Sequence, residues 1–153
     1  YSGTLKNCYG VWENGYTSTE ADPRGIEADG NLDGDYSDHL RQSDFTVENM
    51  TIVNNAANTT DNVDRMQDVI KIRRGAKATI TNAFVKGSGG TIDLIDMNDS
   101  KGAGNAASSI SITHTLNFKN KLNGTLNTFT EPTTNTGADA SLFTWSGYNF
   151  SSL

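Results

Sequence analysis

Cysteine is nearly absent: Cys8 stands alone among 153 residues, so the chain has neither an internal disulfide nor a cysteine-based metal cluster. Its expected role is that of a small buried hydrophobe. Only two prolines occur. No apolar run approaches the roughly 20 residues that a bilayer span requires. Basic residues are few, and the formal charge of -6 with a pI near 4.7 excludes the basic stripe that marks most nucleic-acid binders. The only imidazoles, His39 and His114, lie far apart in the sequence, which argues against a zinc site. No serine sits in a nucleophile-elbow pattern. There is no start methionine and no signal-peptide pattern.

What is present is a chain rich in Gly, Asn, Thr, Ser and Asp, in which short strands alternate with turns. With 35% hydrophobic residues it can build one domain with a modest core, spanning 1–153. Four segments align without gaps: LKNCYGV from Leu5, VENMTIV from Val47, ITNAFVK from Ile80 and ITHTLNF from Ile112. Their first column is branched and apolar (Leu5, Val47, Ile80, Ile112). Their third is Asn7, Asn49, Asn82 and His114, and their fourth Cys8, Met50, Ala83 and Thr115. Strands stacked parallel and in register, about 4.8 Å apart, would turn such columns into ladders, with asparagine amides bonding from coil to coil.

Between these copies lies a second set, GIEADG from Gly25, VIKIRRG from Val69 and TIDLIDM from Thr91. It aligns Ile26 with Ile70 and Ile92, and Ala28 with Ile72 and Leu94, both columns pointing inward. Each coil then holds two strands and a variable loop. A propeller would require tight antiparallel hairpins that the sequence does not signal. The expectation is an all-β, right-handed parallel β-helix of three to four coils, with a C-terminal aromatic cap built from Phe143, Trp145, Tyr148 and Phe150. The stretch from Asn123 to Asp139 reads as an irregular connection, and Thr60 to Asp68 as a single helical turn.

The segments SGTLKN, RGIEADGN, FTVENMTIVNN, VIKIRRGAKATITNAFVKG and GADASLFTW together resemble the later half of secreted bacterial β-helix proteins related in fold to pectate lyases. The resemblance covers most of the chain and implies an extracellular or outer-surface location with further coils upstream, as if the chain were the C-terminal part of a longer solenoid. Partners would be a polysaccharide or cell-surface component, the upstream coils, or other copies joined through the coil ends.

Function in a solenoid falls on outward side chains and inserted loops. Two long connections, Gly30 to Asp44 and Asp96 to Ser109, flank a short turn from Arg74 to Lys77. They predict a groove whose floor carries Arg73, Arg74 and Lys77 and whose walls carry Asp33, Asp35, Asp38, His39, Arg41, Asp96 and Asp99. Arginine pairs with carboxylate or sulfate at two points, so the groove would take an anionic or hydroxyl-rich polymer. In a lyase, Arg73, Arg74 or Lys77 would abstract the proton beside a uronate carboxylate. The plainer reading is a charge ladder, with Glu27, Lys71 and Asp93 in one outward column and Asp29 and Arg73 in another. Oxygen ligands at Asp29, Asn31, Asp33 and Asp35, with Gly34 at the sixth place, match the opening of a calcium loop, although its twelfth position is Leu40 and not Glu. Trp12 and Tyr16 are candidates to stack on sugar rings. The leading expectation is a noncatalytic surface β-helix that binds carbohydrate or serves a structural role. A polysaccharide lyase or glycoside hydrolase is the alternative, and a self-assembling filament component the third.

Overall fold

A computed structural model of the chain describes residues 2–31, 42–57 and 65–153. Its strands form two parallel sheets that the chain visits alternately, the coil of a β-helix. Sheet A holds β1 (Ser2–Trp12), β3 (Asp44–Asn54), β5 (Lys77–Gly87), β7 (Ser109–His114) and β9 (Thr128–Thr130), in that order. Sheet B holds β2 (Arg24–Asp29), β4 (Met66–Arg73), β6 (Thr91–Asp96) and β8 (Asn120–Asn123). The core between them is aliphatic, with Ile70, Ile72, Ile80, Leu94, Ile95, Met97, Ile110 and Ile112 fully buried. Burial of this kind stabilises by about 1.5 to 3 kcal/mol per large side chain. Among the described residues no helix is long and apolar enough to cross a membrane.

The recurring asparagines are the corners of sheet A. Asn7, Asn49 and Asn82 all take left-handed backbone, with φ of 56, 57 and 50°, a conformation that asparagine tolerates better than other residues with a Cβ. The flanking registers match the sequence alignment: Leu5 lies against Val47 and Val47 against Ile80, while Cys8 lies against Met50 and Met50 against Ala83. The amides also bond along the stack. Asn49 Nδ2 donates to Asn7 Oδ1 at 3.0 Å, and Asn82 Nδ2 donates to Asn49 Oδ1 at 2.8 Å.

The fourth copy departs from the expectation. Ile80 pairs with Ile110 and Ala83 with Ile112, so β7 spans the corner with one residue fewer and lacks a left-handed residue there. His114 therefore lies against Val85 and not in the asparagine column. Sheet B is also shifted. Ile70 pairs with Ile95 and Asp68 with Asp93, a step of 25 residues, so Ile92 is not in the Ile26 and Ile70 column and Leu94 is not in that of Ala28 and Ile72. The connection expected to be irregular contains β9, while the helical turn expected near Thr60 lies outside the described residues.

The C-terminal tail binds the outer face of sheet A and crosses its rungs in reverse. Thr113 Oγ1 donates to Pro132 O, and Asn135 Nδ2 donates to Ala83 O and Ser111 Oγ. Asn82 Oδ1, the last acceptor of the ladder, takes the amide of Thr136 at 2.9 Å. Ala138 N donates to Thr51 Oγ1 at 3.0 Å. The tail ends in two 3-10 turns, Ala140–Ser146 and Phe150–Ser152. Phe143 and Phe150 pack edge-on against Tyr9, with ring centroids 5.9 and 4.8 Å away, and Tyr148 packs on Phe150. The aromatic cluster thus forms on the first coil's outer face. Trp145 is 82% exposed.

Candidate functional site

Each rung of sheet B carries two polar residues, three apart, and in β4 and β6 the residues between them, Val69, Ile70, Leu94 and Ile95, are fully buried. The four copies are Arg24 with Glu27, Asp68 with Lys71, Asp93 with Asp96, and Asn120 with Asn123. Stacking these pairs gathers the carboxylates of Asp68, Asp93 and Asp96 within 4.8 Å of one another. All three residues are buried, between 4 and 8% exposed. Arg24 Nε donates to Asp68 Oδ2 at 3.1 Å, and Lys71 Nζ bonds Asp96 Oδ2. Asp93 accepts from Asn120 at 2.6 Å and from Asn123 at 3.2 Å. Burial pushes the Asp68 carboxyl above its ordinary range, and neighbouring Asp96 adds to this, against the opposing pull of Arg24. Burial opposes the charge on Arg24 as well, but its hydrogen bonds to Asp68, Glu27 and Asp22 outweigh this and hold the guanidinium above its usual value. Three buried carboxylates at this spacing could hold a metal ion.

The arginines expected on a groove floor are enclosed by acids from neighbouring coils. Arg73 Nε bonds Asp29 at 2.5 Å, its Nη2 bonds Glu27, and its Nη1 lies 3.5 Å from Asp99. Arg74 bonds Asp29 at 3.2 Å and Asp99 at 3.3 Å. The hydrogen bond that Arg73 donates to Asp29 raises its pKa against the lowering by burial. Asp99 would be pushed up by burial, yet the amide of Lys101 and the Arg74 guanidinium hold it below the usual carboxylate range. The long connection after β6 does not stand apart as a wall. Gly102 O and Ala103 O accept from Arg74 N and Gly75 N, closing the loop onto the turn. Lys77 pairs with Asp44 at 3.0 Å, and Asp96 belongs to the carboxylate cluster. The carboxylate of Asp29, first of the expected calcium ligands, is engaged by both arginines, and Asn31 N donates to Gln42 Oε1. Asp33, Asp35, Asp38, His39 and Arg41 lie outside the described residues. His114 has both ring nitrogens bonded, Nδ1 to Leu116 O at 3.0 Å and Nε2 to Glu131 at 2.8 Å.

A second feature is a cavity of about 830 Å³ beside the first coil, between the end of β1, the connection to β2 and the tail. Trp12, Tyr16 and Tyr148 line it together with Glu13, Glu20 and Asp22. Trp12 Nε1 donates to Tyr16 O at 3.1 Å, which ties the connection back on itself, and the Tyr148 hydroxyl donates to Glu13.

The sequence set Arg73, Arg74 and Asp99 around one groove, and the structure joins Asp99 to both arginines in ion pairs; the carboxylate cluster was missed. The signal was there: RGIE, DVIK, DLID and NKLN share a polar residue at each end, and aligning those ends gives the true register of sheet B. Aligning on Ile92 concealed it.

No curated protein and no solved structure matches the chain. Residues 1–148 match the family described as a pectate-lyase like beta helix domain. That match agrees with the alternating parallel sheets and the stacked asparagine corners, and the chain belongs to the pectate-lyase-like β-helix family.

Proposed function

We propose that this is a noncatalytic extracellular β-helix section that binds carbohydrate or another cell-surface component, with the coil as scaffold. The observation that carries the reading is the enclosure of Arg73 and Arg74 by Glu27, Asp29 and Asp99. A guanidinium that clamps a uronate or draws off its proton must face the polymer, whereas these two join three coils to one another. Incubation with polygalacturonate tests it. The expected outcome is no unsaturated product absorbing in the ultraviolet. A product that disappears in the Arg73→Ala, Arg74→Ala double variant would establish a lyase instead. The Asp68, Asp93 and Asp96 carboxylates lie within 4.8 Å of one another, closer than the separation of about 5 Å or more in paired-carboxylate hydrolases, and their burial supports an internal role over contact with a polymer.

The cation we assign to that cluster is calcium, which favours several hard oxygen donors. Millimolar calcium should raise the melting temperature, and chelator should reverse it. No shift would remove calcium from the reading.

A further inference from the structure

We propose that the cavity beside the first coil binds amino-sugar units, pyranose rings that carry a protonated amine. The inference rests on the carbohydrate reading above and names its site and ligand class. Four carboxylates line the cavity, Glu13, Glu20, Asp22 and Glu27, against the single guanidinium of Arg24. Arg24 is already committed to Asp22 at 2.6 Å, Glu27 at 2.9 Å and Asp68 at 3.1 Å. Glu13 and Glu20 have no cationic partner among the described residues, and the only side-chain bond to Glu13 comes from the neutral Tyr148 hydroxyl. Asp22 is paired with Arg24 and Glu27 with Arg24 and Arg73, so Glu13 and Glu20 supply the uncompensated negative charge of the rim, which repels uronates and sulfated sugars and attracts an ammonium group.

The remaining lining selects a ring. Trp12, Tyr16 and Tyr148 bring three aromatic side chains to one cavity, and Tyr16 is 72% exposed. Aromatic faces accept the C–H side of a pyranose and also attract a nearby cation. Carboxylates among them accept hydrogen bonds from ring hydroxyls as well as from the amine. Fixing Tyr16 through the bond from Trp12 to its backbone carbonyl lowers the cost of ordering the loop when a ligand arrives.

Calorimetric titration of the full chain with three tetrasaccharides, of glucosamine, of N-acetylglucosamine and of galacturonate, tests the proposal. The glucosamine tetramer should bind most tightly and weaken as salt is added. Tyr16→Ala and Glu20→Gln alter exposed side chains, and each should weaken that binding about tenfold while circular dichroism stays unchanged. Equal or tighter binding of the acetylated or uronate tetramer, or affinity indifferent to both substitutions, overturns the amino-sugar site while leaving the carbohydrate reading in place. If none of the three binds at millimolar concentration, both are overturned.

Discussion

Asn49 receives a hydrogen bond from Asn82, gives one to Asn7, and holds its backbone at φ 57°. Alanine there would lose both bonds and keep the strained backbone, and glycine would lose the bonds alone. We expect Asn49→Ala to cost about 2 to 4 kcal/mol and Asn49→Gly about 1 kcal/mol less, read by urea denaturation. Two variants of equal stability would show that the corner conformation is not the constraint. Lys71 presents a second single-residue test, because its ammonium is the buried countercharge to Asp96. Lys71→Met leaves three carboxylates facing one guanidinium and should cost about 3 to 5 kcal/mol, with part recovered by millimolar calcium. Recovery by magnesium and sodium alike would instead indicate screening. Asp68 makes the pH dependence specific. Its folded pKa lies above 3.8, so its contribution is fully present below 3.8 and is lost as pH rises through the folded value. Asp99 and Glu131 have depressed values, so theirs are present above 3.8 and 4.5 and are lost on further acidification. Stability in chelator should therefore rise as pH falls through the folded value of Asp68, and Asp68→Asn should flatten that rise. A rise unaltered in the variant would assign it to another group.

At the scale of the element, the tail is the part that sequence did not show. Sheet A was legible because its corner recurs as asparagine and a corner residue has no freedom to drift in register. The second strands have isoleucine at neighbouring positions, and apolar identity alone could not separate a 22-residue step from the real one of 25. Only the polar ends of each rung do so, and they also mark the carboxylate site. Contacts of the tail repeat nothing: Gly137 meets Met50, Thr51 and Phe84, residues that no spacing rule connects to it. Gly137 has φ 70°, and a Cβ there would come within 2.2 Å of Thr51 Oγ1. Gly137→Ala should thus destabilise by more than about 1 kcal/mol, since it combines a left-handed backbone with a clash. Thermal unfolding of the variant checks it, and a melting temperature unchanged from the parent would mean that the tail does not hold the sheet.

For the whole molecule, stability in a solenoid is a sum over rungs and the interfaces between them. Rungs β3 to β7 have sheet partners on both sides and contain most of the fully buried aliphatic residues, whereas β1, β2, β8 and β9 have one partner each among the described residues. Native-state hydrogen exchange should consequently find its slowest amides in β3 to β7. The part of the tail after Asp139 meets sheet A, where Phe143 and Phe150 pack on Tyr9 of the first coil and Leu153 O accepts from Lys86 Nζ of β5. Removing residues 139–153 should speed exchange in β1 and leave β4 and β6 close to the parent, because the aromatic pairing reaches sheet A and not sheet B. Equal acceleration in both sheets would show that the tail stabilises the coil as one cooperative unit. In that case the nearest-neighbour description of the solenoid would have to be given up for this chain, since a contact at its first rung would be felt equally three coils away.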